Sequence, residues 1–211
     1  GMYLSISVSP DGRHILCEQL VEPFSYIVGY TSFGRDLKVL DMDGKMVSMI
    51  RQVPLHEPAG RDNRPDADLP REVTWRPNGR GLSWLDRAPN HTGEEDEITD
   101  PESQDRVMTV EAPFVVADAQ VLAETEGRFN DLRFSTDGSK FFLEDLKEGE
   151  RRILAYNLST GSPVETELTR YDPDNVIALP GELLTRQDVN GITSTVTSSD
   201  GTSVYLRGSG F

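Results

Sequence analysis

The sequence predicts an all-β chain built from four-stranded antiparallel sheets, and three observations carry that expectation. An apolar strand, a tight turn and a second apolar strand recur four times, with turn glycines at Gly12, Gly79, Gly138 and Gly201. The intervals between these glycines are 67, 59 and 63 residues, a near-constant spacing that marks a structural repeat. A second hairpin follows inside two of the intervals, which gives four strands per repeat. Together these are the marks of β-propeller blades. A β-sandwich that uses Asp-Gly turns often is the competing arrangement, and it gives no reason for turns to return every sixty-odd residues.

The elements follow in chain order. Ile6-Ser-Val-Ser-Pro-Asp-Gly-Arg-His-Ile-Leu16 alternates apolar and polar residues around Asp11-Gly12, a dipeptide that tolerates the positive φ of a tight hairpin. Leu37 to Ile50 repeats the pattern around Asp43-Gly44, completing four strands. Val73 to Trp84 turns at Asn78-Gly79 and is followed by the strand Val107-Met-Thr-Val110. Leu132 to Phe142 turns at Asp137-Gly138, and Ile153 to Val164 turns at Thr160-Gly161. The last copy, Val196 to Leu206, turns at Asp200-Gly201 and stops after one hairpin.

The chain therefore reads as a partial β-propeller of about three and a half four-stranded blades, with blade starts near residues 4, 72, 130 and 193. Closed rings hold about four to eight blades. Gly1 ahead of Met2 has the form left by a cleaved expression tag, so residues 2–211 are expected to be a fragment of a longer propeller domain.

Composition excludes several classes. No run of eighteen apolar residues occurs, so no membrane-spanning helix is expected. A net charge of −15, from 36 acidic and 21 basic residues, disfavours nucleic acid as a partner. The densest acidic stretch runs from His91 to Asp105; it lacks the oxygen spacing and central glycine of a calcium loop and reads as a solvated insertion. Asp41-Met-Asp-Gly44 and Asp172-Pro-Asp-Asn175 read as turns. The single cysteine, Cys17, has no partner for an internal disulfide and is expected in the core.

A catalytic inventory is short. His14, His56 and His91 have no spacing partners for zinc, and no His-Glu-x-x-His or paired Cys motif occurs. The G-x-S-x-G elbow of a serine nucleophile and the glycine-rich phosphate loop are both absent. No catalytic residue, metal site or cofactor is expected in this chain.

Several stretches carry more than blade geometry. Pro23-Phe-Ser-Tyr-Ile-Val-Gly-Tyr-Thr-Ser-Phe-Gly-Arg-Asp-Leu-Lys-Val-Leu-Asp-Met-Asp-Gly-Lys45, Pro70-Arg-Glu-Val-Thr-Trp-Arg-Pro77, Asp105-Arg-Val-Met-Thr-Val-Glu-Ala-Pro-Phe114 and Glu124-Thr-Glu-Gly-Arg-Phe129 resemble the N-terminal propeller of bacterial prolyl oligopeptidase family serine peptidases, above all the glutamyl endopeptidase-like branch. The resemblance spans residues 4 to 145 and fades toward the C-terminus. It implies a two-domain enzyme in which a propeller caps an α/β-hydrolase domain with a Ser-Asp-His triad, and that domain would lie beyond Phe211. The propeller's implied part is to gate access of peptide substrates, without catalysis of its own. Periplasmic forms are common in such a family, which implies a periplasmic or secreted location over a cytoplasmic one.

Candidate substrate contacts follow in two groups. Phe24, Tyr26 and Tyr30, with Phe33 nearby, form an aromatic loop between strands, suited to a ligand, a partner domain or the blade's own core. Arg35, Arg76 and Arg128 are the candidates by family position or loop placement for balancing a substrate carboxylate. A second class of function also stands: a propeller of TolB or WD-repeat kind that binds a protein or carbohydrate. Open blade edges are expected to invite self-association.

Overall fold

The computed structural model describes residues 1–56, 69–87, 105–124, 128–147, 149–158, 163–175 and 179–208. Three antiparallel runs of four strands follow one another along the chain, each in sequence order, the first two as four-stranded sheets and the third within a six-stranded sheet. The first holds β1 (Met2–Val8), β2 (His14–Val21), β3 (Gly34–Asp41) and β4 (Met46–Val53). The second holds β5 (Arg71–Trp75), β6 (Leu82–Arg87), β7 (Asp105–Val110) and β8 (Gln120–Glu124). The third holds β9 (Arg128–Ser135), β10 (Lys140–Lys147), β11 (Glu150–Asn157) and β12 (Val164–Tyr171). This is the all-β, bladed architecture of a propeller, with hairpins where the Asp-Gly and Asn-Gly turns place them.

Two apolar layers bind the sheets face to face, and the repeat explains them. Trp75, Leu82 and Trp84, with Val73, pack against Leu16, Leu37, Val39 and Ile50 of the first sheet. The residues 59 positions later, Leu132, Phe134, Phe141 and Leu143, pack in the same way against Leu85, Val107 and Ala123 of the second. Burying one such Trp, Phe or Leu side chain contributes about 2 kcal/mol. The third member of the series, 67 positions before the first, is Ile6, Val8, Ile15 and Cys17. Cys17 is buried, and burial pushes its thiol pKa up. Ile6, by contrast, is 58% exposed, and among the described residues no further sheet packs on it.

Three of the four turns share one hydrogen-bond pattern. A serine hydroxyl donates to the aspartate two residues on: Ser9 to Asp11 at 2.6 Å, Ser135 to Asp137 at 2.6 Å, Ser198 to Asp200 at 2.5 Å. The same hydroxyl accepts the amide five residues on, from His14, Lys140 and Ser203. The second turn replaces these residues with Arg76 and Asn78 and departs from the pattern. Asp41-Met-Asp-Gly44 and Asp172-Pro-Asp-Asn175 are turns as expected, each closed by its first aspartate.

The sheets are also cross-linked by polar groups. Trp75 Nε1 donates to the Ser7 carbonyl at 3.3 Å. Buried Asp105 accepts from Arg71 at 2.6 Å and from the Phe129 amide at 2.9 Å, joining the second sheet to the third. Phe114, at φ +62°, sits in the connection after β7, wedged edge-on between His14 and Trp75, while its carbonyl accepts from the Ser48 hydroxyl. The run ending in Ala-Pro-Phe114 thus ties the first sheet to the second.

The fourth repeat takes a form the sequence pattern does not reveal. Its turn closes as expected, Gly201 N to the Ser198 carbonyl, but a single bridge, Thr197 to Val204, replaces a long hairpin. The flanking residues pair elsewhere: β13 (Glu182–Leu183) with β16 (Leu206–Arg207), and β14 (Thr185–Gln187) with β15 (Thr193–Thr195). β15 joins the third sheet by parallel pairing with β9. The intervening turn reaches the first sheet, where Val8 N donates to the Asn190 carbonyl, and Ile192 enters the first apolar layer. Polar Thr193-Ser-Thr195 pairs here through its backbone, with Ser194 and Thr195 buried.

Candidate interaction face

Antiparallel order sorts the connections to two ends. The tight turns at 9–13, 42–45, 76–81 and 136–139 share one end with the packed connection 111–119. The long connections, 22–33, 54–70 and 88–104, leave from the other. The sheets are in step, since the turn residue Asn78 reaches the Gly138 carbonyl while Glu72, at the opposite end, reaches the amides of Asp131 and Leu132. Long loops on a rigid scaffold are where propellers and barrels carry binding groups. The acidic stretch His91 to Asp105, expected as a solvated insertion, lies outside the described residues except for Asp105, which opens β7 and is buried rather than solvated.

The described part of this face is dominated by the aromatic loop. It leaves β2 at Val21, which pairs with Gly34 at the start of β3; a Cβ on Gly34 would meet Val21 Cγ2 at 3.0 Å, so glycine permits the strands to close here. Phe24 stacks on Phe33 at 5.3 Å between ring centroids, and the Ser32 carbonyl accepts the His56 amide at 2.9 Å. These contacts anchor the loop's base. Its tip is bare: Tyr26 is 107% exposed, and Ile27 and Tyr30 are also exposed. A contiguous apolar tip on an anchored base is the form of a docking element. The loop does not cover its own blade's core.

The structure brings Phe24, Tyr26, Tyr30 and Arg35 to this end of the first sheet. Arg35 follows Gly34 directly, half-buried, its backbone paired with Leu20 and Val53. Arg128 begins β9 at the corresponding end of the third sheet, and its side chain lies outside the described residues. Arg76 lies at the opposite end, buried at the second turn. A single pocket containing all three arginines is therefore not formed. Sequence reasoning missed Asp105 and Glu72, whose long-range bonds have no local signal.

Electrostatics nearby are those of structural pairs. Arg51 donates to Glu18 at 2.6 Å and to the Pro70 carbonyl at 2.9 Å, tying β4 to β2 and to the chain entering β5. Among the described residues no group of three or more His, Cys, Asp or Glu is placed to hold a metal ion. Among them, too, no helix is long and apolar enough to cross a membrane. What the face offers is apolar, aromatic contact beside a cation, which suits binding.

No protein-family model matches the chain. It is 24% identical over 215 residues to an Arabidopsis thaliana protein, "Probable glutamyl endopeptidase, chloroplastic", across 99% of this chain and 22% of that protein. The chain thus spans about a fifth of the length of the curated relative it matches. Among solved structures it is similar to a prolyl endopeptidase at a TM-score of 0.51 and 15% identity, over 81% of this chain and 22% of that one. It is also similar, at a TM-score of 0.42 and 9% identity, to the β-propeller domain of the Trilobed protease from Pyrococcus furiosus, over 80% of this chain and 43% of that one. At a TM-score of 0.44 and 17% identity it is similar to TolB from Acinetobacter baumannii, over 94% and 45%. At such identities the likeness to the prolyl endopeptidase speaks to the fold alone.

Proposed function

We propose that this chain is part of the propeller of a serine peptidase of the prolyl oligopeptidase kind, where it covers a catalytic α/β-hydrolase domain and restricts entry to peptides. The observation that carries the reading is a match to a glutamyl endopeptidase that runs the length of this chain yet uses only 22% of that protein. Two structural features support it. The face of Ile6, Val8, Ile15 and Cys17 repeats the positions that pack sheet on sheet elsewhere, so it suits a further blade. The bare tip at Tyr26 and Tyr30, on the end with the long connections, suits a second domain or an apolar peptide side chain, with Arg35 and Arg128 as the cations of the same end.

The test uses the native gene product. It is captured from its source cells with an antibody to this chain, treated with a fluorophosphonate probe, and read for size and label on one gel. A labelled band several times larger than 23.5 kDa is expected. An unlabelled band would overturn the peptidase reading and leave a propeller that binds a protein or carbohydrate.

A further inference from the structure

The second turn departs from the repeat at one buried position. Ser9, Ser135 and Ser198 occupy equivalent places in the other turns, and Arg76 stands where the second repeat would carry its serine, 67 residues after Ser9 and 59 before Ser135. Departures from an otherwise consistent local rule concentrate at functional sites. Arg76 is 6% exposed. One of its terminal nitrogens donates to Thr109 Oγ1 at 3.2 Å, and its Nε has no hydrogen-bond partner among the described residues.

Three other buried or half-buried arginines are neutralised by a carboxylate. Arg51 meets Glu18, Arg71 meets Asp105 and Arg152 meets Asp145. Arg76 meets a threonine. A buried guanidinium without a carboxylate is costly, because it has lost water and gained no counter-charge. Burial, with repulsion from Arg80, lowers its pKa by more than the attraction of Glu111 raises it. Asp137 faces the same space, but its carboxylate already accepts from the Ser135 hydroxyl and from the amide and hydroxyl of Ser139.

The space itself is a groove of about 790 Å³ between the second and third sheets, lined by the cations of Arg76 and Arg80, the carboxylates of Glu111, Glu124 and Asp137, and Gln120 among others. It opens at the turn end, opposite the aromatic loop. We infer that this groove is a binding site for a carboxylate group, held by Arg76 with Arg80 beside it. The planar guanidinium is suited to a two-point grip on a carboxylate, and Gln120 adds a neutral donor in the same groove. The carboxylate comes either from a small free dicarboxylate or from an acidic side chain of a peptide.

The test is 1H–15N NMR on this 211-residue chain, following the Arg76 Nε–Hε resonance in the parent and the Gln120 side-chain amide in parent and variants. Glutarate and a blocked Ala-Glu-Ala tripeptide are titrated separately to millimolar concentration. A saturable shift with either is expected, and the tighter of the two identifies the source. Arg76→Ser, which restores the residue used by the other turns, should keep the melting temperature within a few degrees and weaken binding at least tenfold. Arg76→Gln should show the same loss, which keeps the test decisive if the serine variant does not fold. An unmoved resonance with both probes, or variants that bind as tightly as the parent, would overturn the inference.

Discussion

The carboxylate of Glu72 accepts the backbone amide of Leu132 at 2.6 Å, and that of Asp131 at 3.1 Å, across the boundary between the second and third sheets. Glu72 and Asp131 are themselves repeat equivalents, 59 positions apart, and both sit at positive φ, +52° and +60°. Each belongs to a strand whose register shifts near its start, as it also does in β1 between Tyr3 and Ser5. The bulge of one sheet thus presents the amides that the bulge residue of its neighbour caps. Carboxylate-to-amide bonds of this kind are each worth about 1.5 to 3 kcal/mol when made to a charged group. Glu72→Ala is accordingly expected to lower stability by about 2 kcal/mol, seen as a lower urea midpoint at unchanged slope. Glu72→Gln should recover part of that loss.

Asp105 is the second inter-sheet anchor. Its Oδ2 serves both Arg71 and the Phe129 amide, and it is buried. Asp105→Ala leaves a largely buried cation and an unpaired amide, a loss of about 3 kcal/mol. Chemical denaturation should show this loss, whereas Asp36→Ala, whose carboxylate accepts from exposed Gln52, should change stability by less than about 0.5 kcal/mol.

The serine–aspartate turns make a pH prediction. The Ser198 hydroxyl, then the amide and hydroxyl of Thr202, hold Asp200 down at about 2, and Asp11 and Asp137 are lowered in the same sense, first by Ser9 and Ser135. A carboxyl whose folded pKa lies below its usual 3.8 stabilises the fold above that value and loses the contribution as pH falls through the folded pKa. Melting temperature should therefore drop as pH is lowered from about 4 to about 2. The triple variant Asp11→Asn, Asp137→Asn, Asp200→Asn should show a shallower drop in that window, and an unchanged slope would contradict the assignment.

The bare face of the first sheet predicts association. Ile6 and Met46 are exposed on the flank of the sheet that has no neighbouring sheet among the described residues. In sedimentation velocity the chain should form dimers or larger species at high concentration. Ile6→Lys should return it to a monomer, and a parent that stays monomeric throughout would count against the face being adhesive.

How much of this was legible in the sequence depends on range. The hairpins are local: Asp11-Gly12 and Asp137-Gly138 fix their turns within five residues, and apolar runs such as Ile153-Leu-Ala-Tyr156 mark their strands, so these could be read directly. The sixty-odd-residue spacing extended that reading to the three-sheet order. The parallel pairing of Ser194 with Phe134 and the capping of Leu132 by the Glu72 carboxylate join residues 60 apart, and no local pattern marks either link. The aromatic loop was legible as a loop with contacts to make, but the exposure of Tyr26 depends on Phe24 turning back onto Phe33. Arg76 was legible as a cation; its burial follows only once the four turns are superposed residue by residue.

The central claim is that the end carrying the aromatic loop meets a second domain in the whole protein. Hydrogen–deuterium exchange on this chain alone and on the native full-length protein tests it most directly. The account predicts that amides of residues 24–33 become protected in the full-length protein, while those of the turns at Gly12 and Gly138 exchange alike in both. Protection at the turns with no change in the aromatic loop would contradict it.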